Sequence, residues 1–390
     1  MAFNVLINGG GIAGPALACW LVRQGHTVTI AEQARELRTG GQAVDFRGPA
    51  LDVLDKMGLL DQVRAAATRM GPVIIVDQRG KEIGRLPAEV ISGELEIHWG
   101  DLARVLHEAV REDVDFRFGV RVASLTDTGE HVDVTFSDGT SAPYDLVIGA
   151  DGLHSGVRAL AFGPEDQLVT QLGQCFGYFD MDNYLRLDHC GMTCGADGRT
   201  AIVQGTDPDK PARASFYLTD PHVKFDYRDT EGNKKLFAQR FSDMEWQVPT
   251  LLKALAEAPQ VYFDSIAQVH LDSYAHGRVC LVGDAAWCAS PRSGMGTGLA
   301  VVGAYVLAHE LHAAAADHNA AFVRYQQLME PYVARCQKLA IDNLKLDDPN
   351  SLVARFVRTV GYRLLRIPFV ANQVARQALV VGRSFQLPAY

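Results

Sequence analysis

Several kinds of protein are excluded by what this 390-residue chain lacks. It has no uninterrupted apolar run long enough to span a bilayer as a helix. Its first residues show no basic stretch leading into an apolar core, so no secretory leader is expected. The seven cysteines (Cys19, Cys175, Cys190, Cys194, Cys280, Cys288, Cys336) are odd in number and scattered, without a C-x-x-C unit. That spacing speaks against a zinc site or a disulfide framework and predicts reduced thiols in the cytoplasm. Basic residues are in deficit, 37 Lys and Arg against 46 Asp and Glu, and the net charge of −9 argues against a nucleic-acid partner. Internal repeats and low-complexity tracts are missing too. No metal-ligand spacing links His98, His154 and His276, and His309, His312 and His318 read as helix-face residues.

What is present is the composition of a globular protein, 48% hydrophobic and 21% charged, with length for two or three domains. A strand pattern at Phe3–Asn8 runs into Gly9-x-Gly11-x-x-Gly14 and then a helix pattern, Pro15–Val22. A second strand pattern, Thr27–Ile30, is followed by Glu32. In this order the glycines permit a tight turn, let a pyrophosphate approach the backbone and let the helix pack on the strand. The helix N-terminus then faces the phosphates. An acid about 20 residues further on is placed to hold a ribose. A dinucleotide site is the reading.

Further along, the chain predicts a loop at Arg38–Gly48, a helix at Pro49–Met57 and a hairpin of Val73–Val76 with Glu82–Leu86. A helix is expected over Asp101–Val110. Strands at Val114–Phe118, Arg121–Leu125 and Val132–Phe136 suggest a three-stranded insert. Strand patterns at Gln174–Met181, Ala201–Gln204, Arg213–Leu218 and Val261–Val269, with a helical stretch near Lys234–Arg240, indicate an inserted antiparallel sheet. Long helices are expected at Ala300–Ala315 and Ala320–Asn343, and two more between Ser351 and Phe385. The last stretch interleaves Arg355, Arg358, Arg363 and Arg366 with apolar residues, the pattern of a terminal helix packed on the body, and membrane contact is not expected.

Two more sites have the form of an apolar strand that ends in Gly or Asp and enters a helix. One is Asp145-Leu-Val-Ile-Gly-Ala-Asp151-Gly152 up to Arg158, and the other is Gly283-Asp284 through Pro291 to Gly294-Met-Gly296-Thr297. An acid at the carboxyl end of a buried strand can accept from a ribose or ribityl hydroxyl. The free N–H groups of a helix opening at Gly294–Thr297 can cradle a phosphate or a polarised carbonyl oxygen.

With these three motifs in this order, the chain resembles the class A single-component flavoprotein monooxygenases. That group includes para-hydroxybenzoate hydroxylase and the tetracycline-inactivating monooxygenases. The likeness covers residues 1–160 and 270–330, and the middle sheet matches in position and character. It implies an α/β fold: a Rossmann-like FAD-binding domain of the GR2 type, an inserted antiparallel-sheet substrate domain and C-terminal helices. The FAD-binding domain is expected to be discontinuous, over 1–72, 95–170 and 270–340. The substrate domain would take 73–94 and 171–269, and 341–390 a helical end.

The resemblance also implies cofactors and roles. FAD is the expected cofactor, NADPH or NADH the reductant and O2 the co-substrate. Gly9, Gly11 and Gly14 would hold the pyrophosphate and Glu32 the adenosine ribose, with Gln33 beside it. Asp284, after Gly283, would meet the ribityl chain or the pyrophosphate side. Asp151 and Gly152 would serve FAD packing and NAD(P)H use. Pro291, Gly294, Gly296 and Thr297 would lie against the isoalloxazine, with N–H groups near the charge of reduced flavin. Asp45 would stand near the flavin, and Arg47 against flavin or NAD(P)H. Trp99 stands where the family usually has an arginine on the flavin side chain. Gln33 replaces another frequent arginine, and Trp287 a frequent His or Tyr. Trp99 and Trp287 are either aromatic surfaces for flavin or substrate, or core.

The implied reaction is hydroxylation of a small aromatic or polyketide-like molecule through a flavin C4a-hydroperoxide. Its setting would be antibiotic biosynthesis or modification, or aromatic catabolism. No general base is nominated, because the flavin carries the chemistry. Tyr178, Arg213 and Tyr217 are candidates to line the substrate site, Arg213 and Tyr217 lying at the spacing of one strand face. A dehydrogenase or reductase of the same fold is an alternative reading, and a flavin-binding protein without turnover another. A monomer or homodimer is expected.

Overall fold

The opening unit folds as its pattern predicts. Strand β1 (Asn4–Asn8) leads into helix α1 (Ala13–Arg23) and strand β2 (Thr27–Glu32), and β1 pairs in parallel with β2. Val5, Leu6 and Ile7 are fully buried, the mark of a strand covered on both faces. Each such side chain contributes roughly 1.5–3 kcal/mol. In this computed structural model the described residues are 2–38, 40–88, 92–315, 317–346 and 380–390.

In chain order there follow β3 (Ala43–Phe46), α2 (Pro49–Met57), α3 (Leu60–Ala65), the hairpin β4 (Val73–Val76) and β5 (Glu82–Leu86), then β6 (Leu95–His98) and α4 (Trp99–Glu108). Strands β7 (Asp115–Phe118), β8 (Val122–Asp127), β9 (Val132–Phe136), β10 (Ser141–Tyr144) and β11 (Leu146–Gly149) precede short helices α5 (Gly156–Ala161) and α6 (Glu165–Leu168). The middle of the chain holds β12 (Val169–Met181), β13 (Cys190–Ala196), β14 (Arg199–Gly205), β15 (Ala212–Thr219), α7 (Thr230–Phe241), α8 (Val248–Glu257) and β16 (Tyr262–Val269). Strands β17 (Ala275–His276) and β18 (Val279–Leu281) return to the first unit, followed by α9 (Asp284–Trp287), α10 (Gly296–Ala313) and α11 (His318–Leu344).

A six-stranded sheet in the order β17-β18-β11-β1-β2-β7 is parallel except at β17. It places the ends of β18, β11, β1 and β2 side by side, so the three glycine-bearing turns, which follow β1, β11 and β18, meet at one edge beside Glu32. The second sheet has seven strands, β16-β12-β15-β14-β13-β4-β5, antiparallel except for β13 with β4. Its two faces follow the pleat. Cys175, Phe179, Phe216 and Phe263 pack with Phe237 and Phe241 of α7 and Leu251 of α8. Residues between them in sequence, Phe176, Tyr178, Tyr217 and Tyr262, stack together on the opposite face.

Several expectations are corrected. The stretch at Arg38–Gly48 contains a strand, since β3 pairs with the unanticipated β6; Val44 and Phe46 are buried between partly exposed neighbours. Residues 115–118 are not part of the three-stranded insert. They form β7 beside β2, and the insert is β8, β9 and β10. Parallel pairing across a helix leaves no local signature, whereas the Ser137–Thr140 turn does. Helix α4 begins at Trp99, whose N–H donates to the Gln42 carbonyl, rather than at Asp101. Strand β13 and helix α8 were not anticipated. The two helices expected between Ser351 and Phe385 fall almost wholly outside the described residues, as do Arg355, Arg358, Arg363 and Arg366.

Residues 380–390 run back over the first unit. Arg383 pairs with Glu94 at 3.0 Å, and Arg335 donates to the Ser384 carbonyl. The Tyr390 hydroxyl donates to Glu310 at 2.6 Å. None of the helices among the described residues is long and apolar enough to cross a membrane.

Candidate active site

The first turn is built by exclusion. A Cβ at Gly14 would overlap the Gly9 carbonyl oxygen, so only glycine lets α1 sit this close to β1. Gly9 has φ +120°, and a Cβ there would run into the backbone of Ala150 and Asp151 at the end of β11. Glu32 closes the far side, its carboxylate accepting the N–H of Gly10 and of Ala34, each at 2.8 Å. No side chain caps α1 and its first turn carries no acid, so its N–H groups face the cleft as donors for an anion.

Asp151 anchors the second motif. Its carboxylate accepts the Gly156 N–H at 2.8 Å, the Ser155 hydroxyl at 2.5 Å and the Asn8 amide at 2.8 Å. Burial pushes its pKa up, and these hydrogen bonds pull the other way. Asn8 also accepts the Val122 N–H at 3.2 Å, which ties the three-stranded insert to the same point. Arg158, fully buried, donates to the Leu153 carbonyl at 2.6 Å and to the Ala285 carbonyl at 3.0 Å. One guanidinium thus joins the second motif to the third, 127 residues along the chain.

In the third motif Gly283 has φ +67°, and a Cβ there would stand 3.0 Å from that of Ala13. Asp284 follows just beyond the strand end, its side chain open to the cleft, and desolvation by the cleft walls raises its carboxyl to about 6. Helix α10 opens at Gly296 with no side-chain cap and no acid in its first turn, a second set of free N–H donors. Ser290 holds a left-handed φ of +79° just before Pro291, its side chain accepting the Arg292 N–H. Such a conformation in a residue with a Cβ marks a turn held by its surroundings.

These pieces share one cleft. Gly9, Gly11, Glu32, Gln33 and Trp99 line it from the first half, and Asp151, Gly152, Asp284, Gly296 and Thr297 from the other motifs. Gly14 and Gly283 are not among its lining residues, and their tight packing supports it from behind. Asp45, Arg47 and Gly294 meet beyond the cleft lining: a Cβ at Gly294 would stand 3.4 Å from Arg47 and 3.7 Å from Asp45. Arg47 is buried and pairs with Asp45 at 3.3 Å; burial lifts the Asp45 carboxyl to about 7 despite that partner. Pro291 lies on the short turn leading to Gly294, outside the lining.

The two tryptophans part ways. Trp99 lines the cleft between Gly11 and Gly41, where a Cβ at Gly41 would come within 2.7 Å of it. Trp287 is core, 1% exposed, packed on Tyr274, Tyr325 and Gly303. Sequence reading missed Asn8, Arg38, Arg121 and His154, all of which line the cleft. Arg121 arrives on the three-stranded insert, which no local pattern could position.

Tyr178, Arg213 and Tyr217 share the inward face of the seven-stranded sheet. Tyr178 stacks on Tyr262 at 5.0 Å, and Phe176 on Tyr217 at 5.5 Å. The Arg213 guanidinium lies 5.1 Å from the Tyr178 ring, binds Asp180 at 2.6 Å and donates to the Gly41 carbonyl. That contact brings the sheet against the loop leading to Asp45.

A glycine cradle, two uncapped helix N-termini and an acid at the end of β2 are a donor and acceptor set that fits FAD. Comparison with known proteins agrees. The family described as FAD binding domain matches residues 2–345. A flavin-dependent monooxygenase of Legionella longbeachae is 36% identical over 342 residues, 87% of this chain and 88% of that protein. An uncharacterized protein of Mycobacterium tuberculosis is 40% identical over 347 residues, covering 87% and 93%. The crystal structure of the tetracycline destructase Tet(51) superposes with a TM-score of 0.86 at 33% identity, over 100% of both chains. With cleft and comparisons in accord, the chain belongs to the class A family of FAD-dependent monooxygenases, an oxidoreductase with FAD as its cofactor.

Proposed function

We propose that this protein uses NAD(P)H and O2 to hydroxylate a planar aromatic or polyketide-like molecule held between the seven-stranded sheet and the cofactor cleft. One observation carries the reading: Phe176, Tyr178, Tyr217 and Tyr262 form a stacked aromatic face turned to the cofactor side, with Arg213 over Tyr178. Stacked rings suit a flat apolar substrate, and a fixed guanidinium suits an enolate or phenolate edge. The likeness to a tetracycline destructase supports a multi-ring substrate.

Bound FAD supplies hydride acceptance from the nicotinamide and activation of O2 at its C4a edge. The residues of the chain do the rest. Gly9 and Gly11, with the first turn of α1, hold the pyrophosphate, and Glu32 the adenosine ribose. Asp284 accepts from the ribityl side. The N–H groups of Gly296 and Thr297, with the loop of Asp45 and Arg47, would hold the ring end of FAD, and free donors there would stabilise negative charge on it. Trp99 presents a flat wall to the cofactor. Arg213, held by Asp180 and Gly41, orients the substrate edge.

The test is tetracycline-stimulated NADPH oxidation by the FAD-loaded protein, with mass spectrometry of the product. The reading expects oxygen uptake and a product heavier by one oxygen atom from O2. An altered product formed equally well without O2 points instead to a reductase.

A further inference from the structure

His154 lies two residues beyond Gly152, lines the cofactor cleft and takes no part in the roles assigned there. Both of its ring nitrogens face carboxylates. Nδ1 is 2.9 Å from Glu165 Oε1 on α6, and Nε2 is 3.2 Å from Asp264 Oδ1 on β16. The ring stacks on Tyr227 with centroids 3.6 Å apart and planes 11° from parallel. Asp264 and Tyr227 belong to the stretch that carries the seven-stranded sheet and its helices, while His154 follows β11 of the cofactor sheet. Other charged and titratable groups stand around it. Arg158 is 3.9 Å from the other Glu165 oxygen, the Tyr262 hydroxyl donates to Asp264 at 2.7 Å, and Arg228 lies over Tyr227.

The geometry selects one protonation state. A neutral imidazole has a single N–H, so in this arrangement a ring lone pair would face a carboxylate oxygen at hydrogen-bond distance. The imidazolium donates to both. The two carboxylates accordingly raise the His154 pKa against the effect of its burial.

We propose that His154 is a positioning residue that, as its imidazolium, pins the substrate-side sheet to the lip of the cofactor cleft, so that substrate binding weakens as the imidazolium is lost at rising pH. The substrate part rests on the hydroxylase reading; the pin itself does not. Its sign follows from linkage. A histidine whose folded pKa lies above 6.5 contributes fully below 6.5, and the contribution disappears as pH rises through the folded value.

The test uses the full-length FAD-loaded protein. Histidine NMR, with His154 assigned by loss of its signal in His154→Gln, is expected to give a midpoint above 6.5. Amide exchange of segments 221–229 and 262–269, corrected for the intrinsic rate, is expected to quicken between pH 6.5 and 9. The increase is about tenfold for each pH unit by which the measured midpoint exceeds 6.5. Asp264→Asn and Glu165→Gln are expected to quicken exchange at pH 6.5 and to flatten the pH dependence. Should Asp264→Asn not fold, the more exposed Glu165→Gln decides. With tetracycline as probe substrate, KM should rise with pH in the wild type while kcat changes less than twofold, and Glu165→Gln should lose that rise. A His154 midpoint at or below 6.5, or exchange that does not depend on pH, overturns the proposal. If tetracycline is not oxidised, the hydroxylase reading fails while NMR and exchange still decide the pin.

Discussion

Replacing Arg158 with Met tests whether one guanidinium holds the cofactor cleft together. Arg158 is fully buried and donates to two backbone carbonyls, Leu153 at 2.6 Å and Ala285 at 3.0 Å. Methionine fills most of the space and donates nothing, so both carbonyls are left without this partner. A hydrogen bond from a charged donor contributes about 1.5–3 kcal/mol, which puts the gross loss at about 3–6 kcal/mol. Part is offset, because the variant no longer buries a cation, and burial already pulls the Arg158 pKa down. A net loss of about 3 kcal/mol remains. At roughly 2–4 °C per kcal/mol for a unit of this size, Tm should drop by about 6–12 °C. FAD affinity should fall as well, since Leu153 and Ala285 flank Gly152 and Asp284. Thermal unfolding followed by flavin fluorescence, with a separate FAD titration, measures both, and Arg158→Lys should fall between. A Tm within about 2 °C of wild type, together with unchanged FAD affinity, would refute the bridging role.

The remaining predictions concern the turn, the buried acid and the aromatic face. Gly14→Ala forces a Cβ into the Gly9 carbonyl, at a cost of about 1–3 kcal/mol, and should weaken FAD binding by about tenfold in a fluorescence titration. Asp45, with its carboxyl at about 7 instead of 3.8, contributes stability below about 3.8 that is lost as pH rises through about 7. Asp45→Asn should therefore show a smaller fall in Tm between pH 5 and 8 than the wild type; equal slopes would contradict the shift. Arg213→Ala removes a cation over Tyr178 and a tie to Gly41. It should raise KM for tetracycline by about 2–30-fold, the equivalent of about 0.5–2 kcal/mol, with a smaller change in kcat from steady-state rates.

The parts of this protein legible in its sequence are those dictated over short stretches of chain. Gly9, Gly11 and Gly14 between two apolar strands specify a tight turn that has no room for a Cβ at Gly9 or Gly14, and Asp151-Gly152 and Gly283-Asp284 mark two more strand ends. Apolar alternation also assigned Arg213 and Tyr217 to one face, because the pleat has a period of two. Tertiary structure decided which segments meet. The placement of β7 beside β2, the pairing of β3 with β6 and the arrival of Arg121 at the cleft depend on backbone hydrogen bonds between distant segments, which leave no local pattern. Trp99 and Trp287 were alike as letters, and packing made the first a wall of the cleft and the second core. Even the charge state that suits His154 is a tertiary fact. It follows from Glu165 and Asp264, one 11 and the other 110 residues away, standing on opposite sides of a single ring.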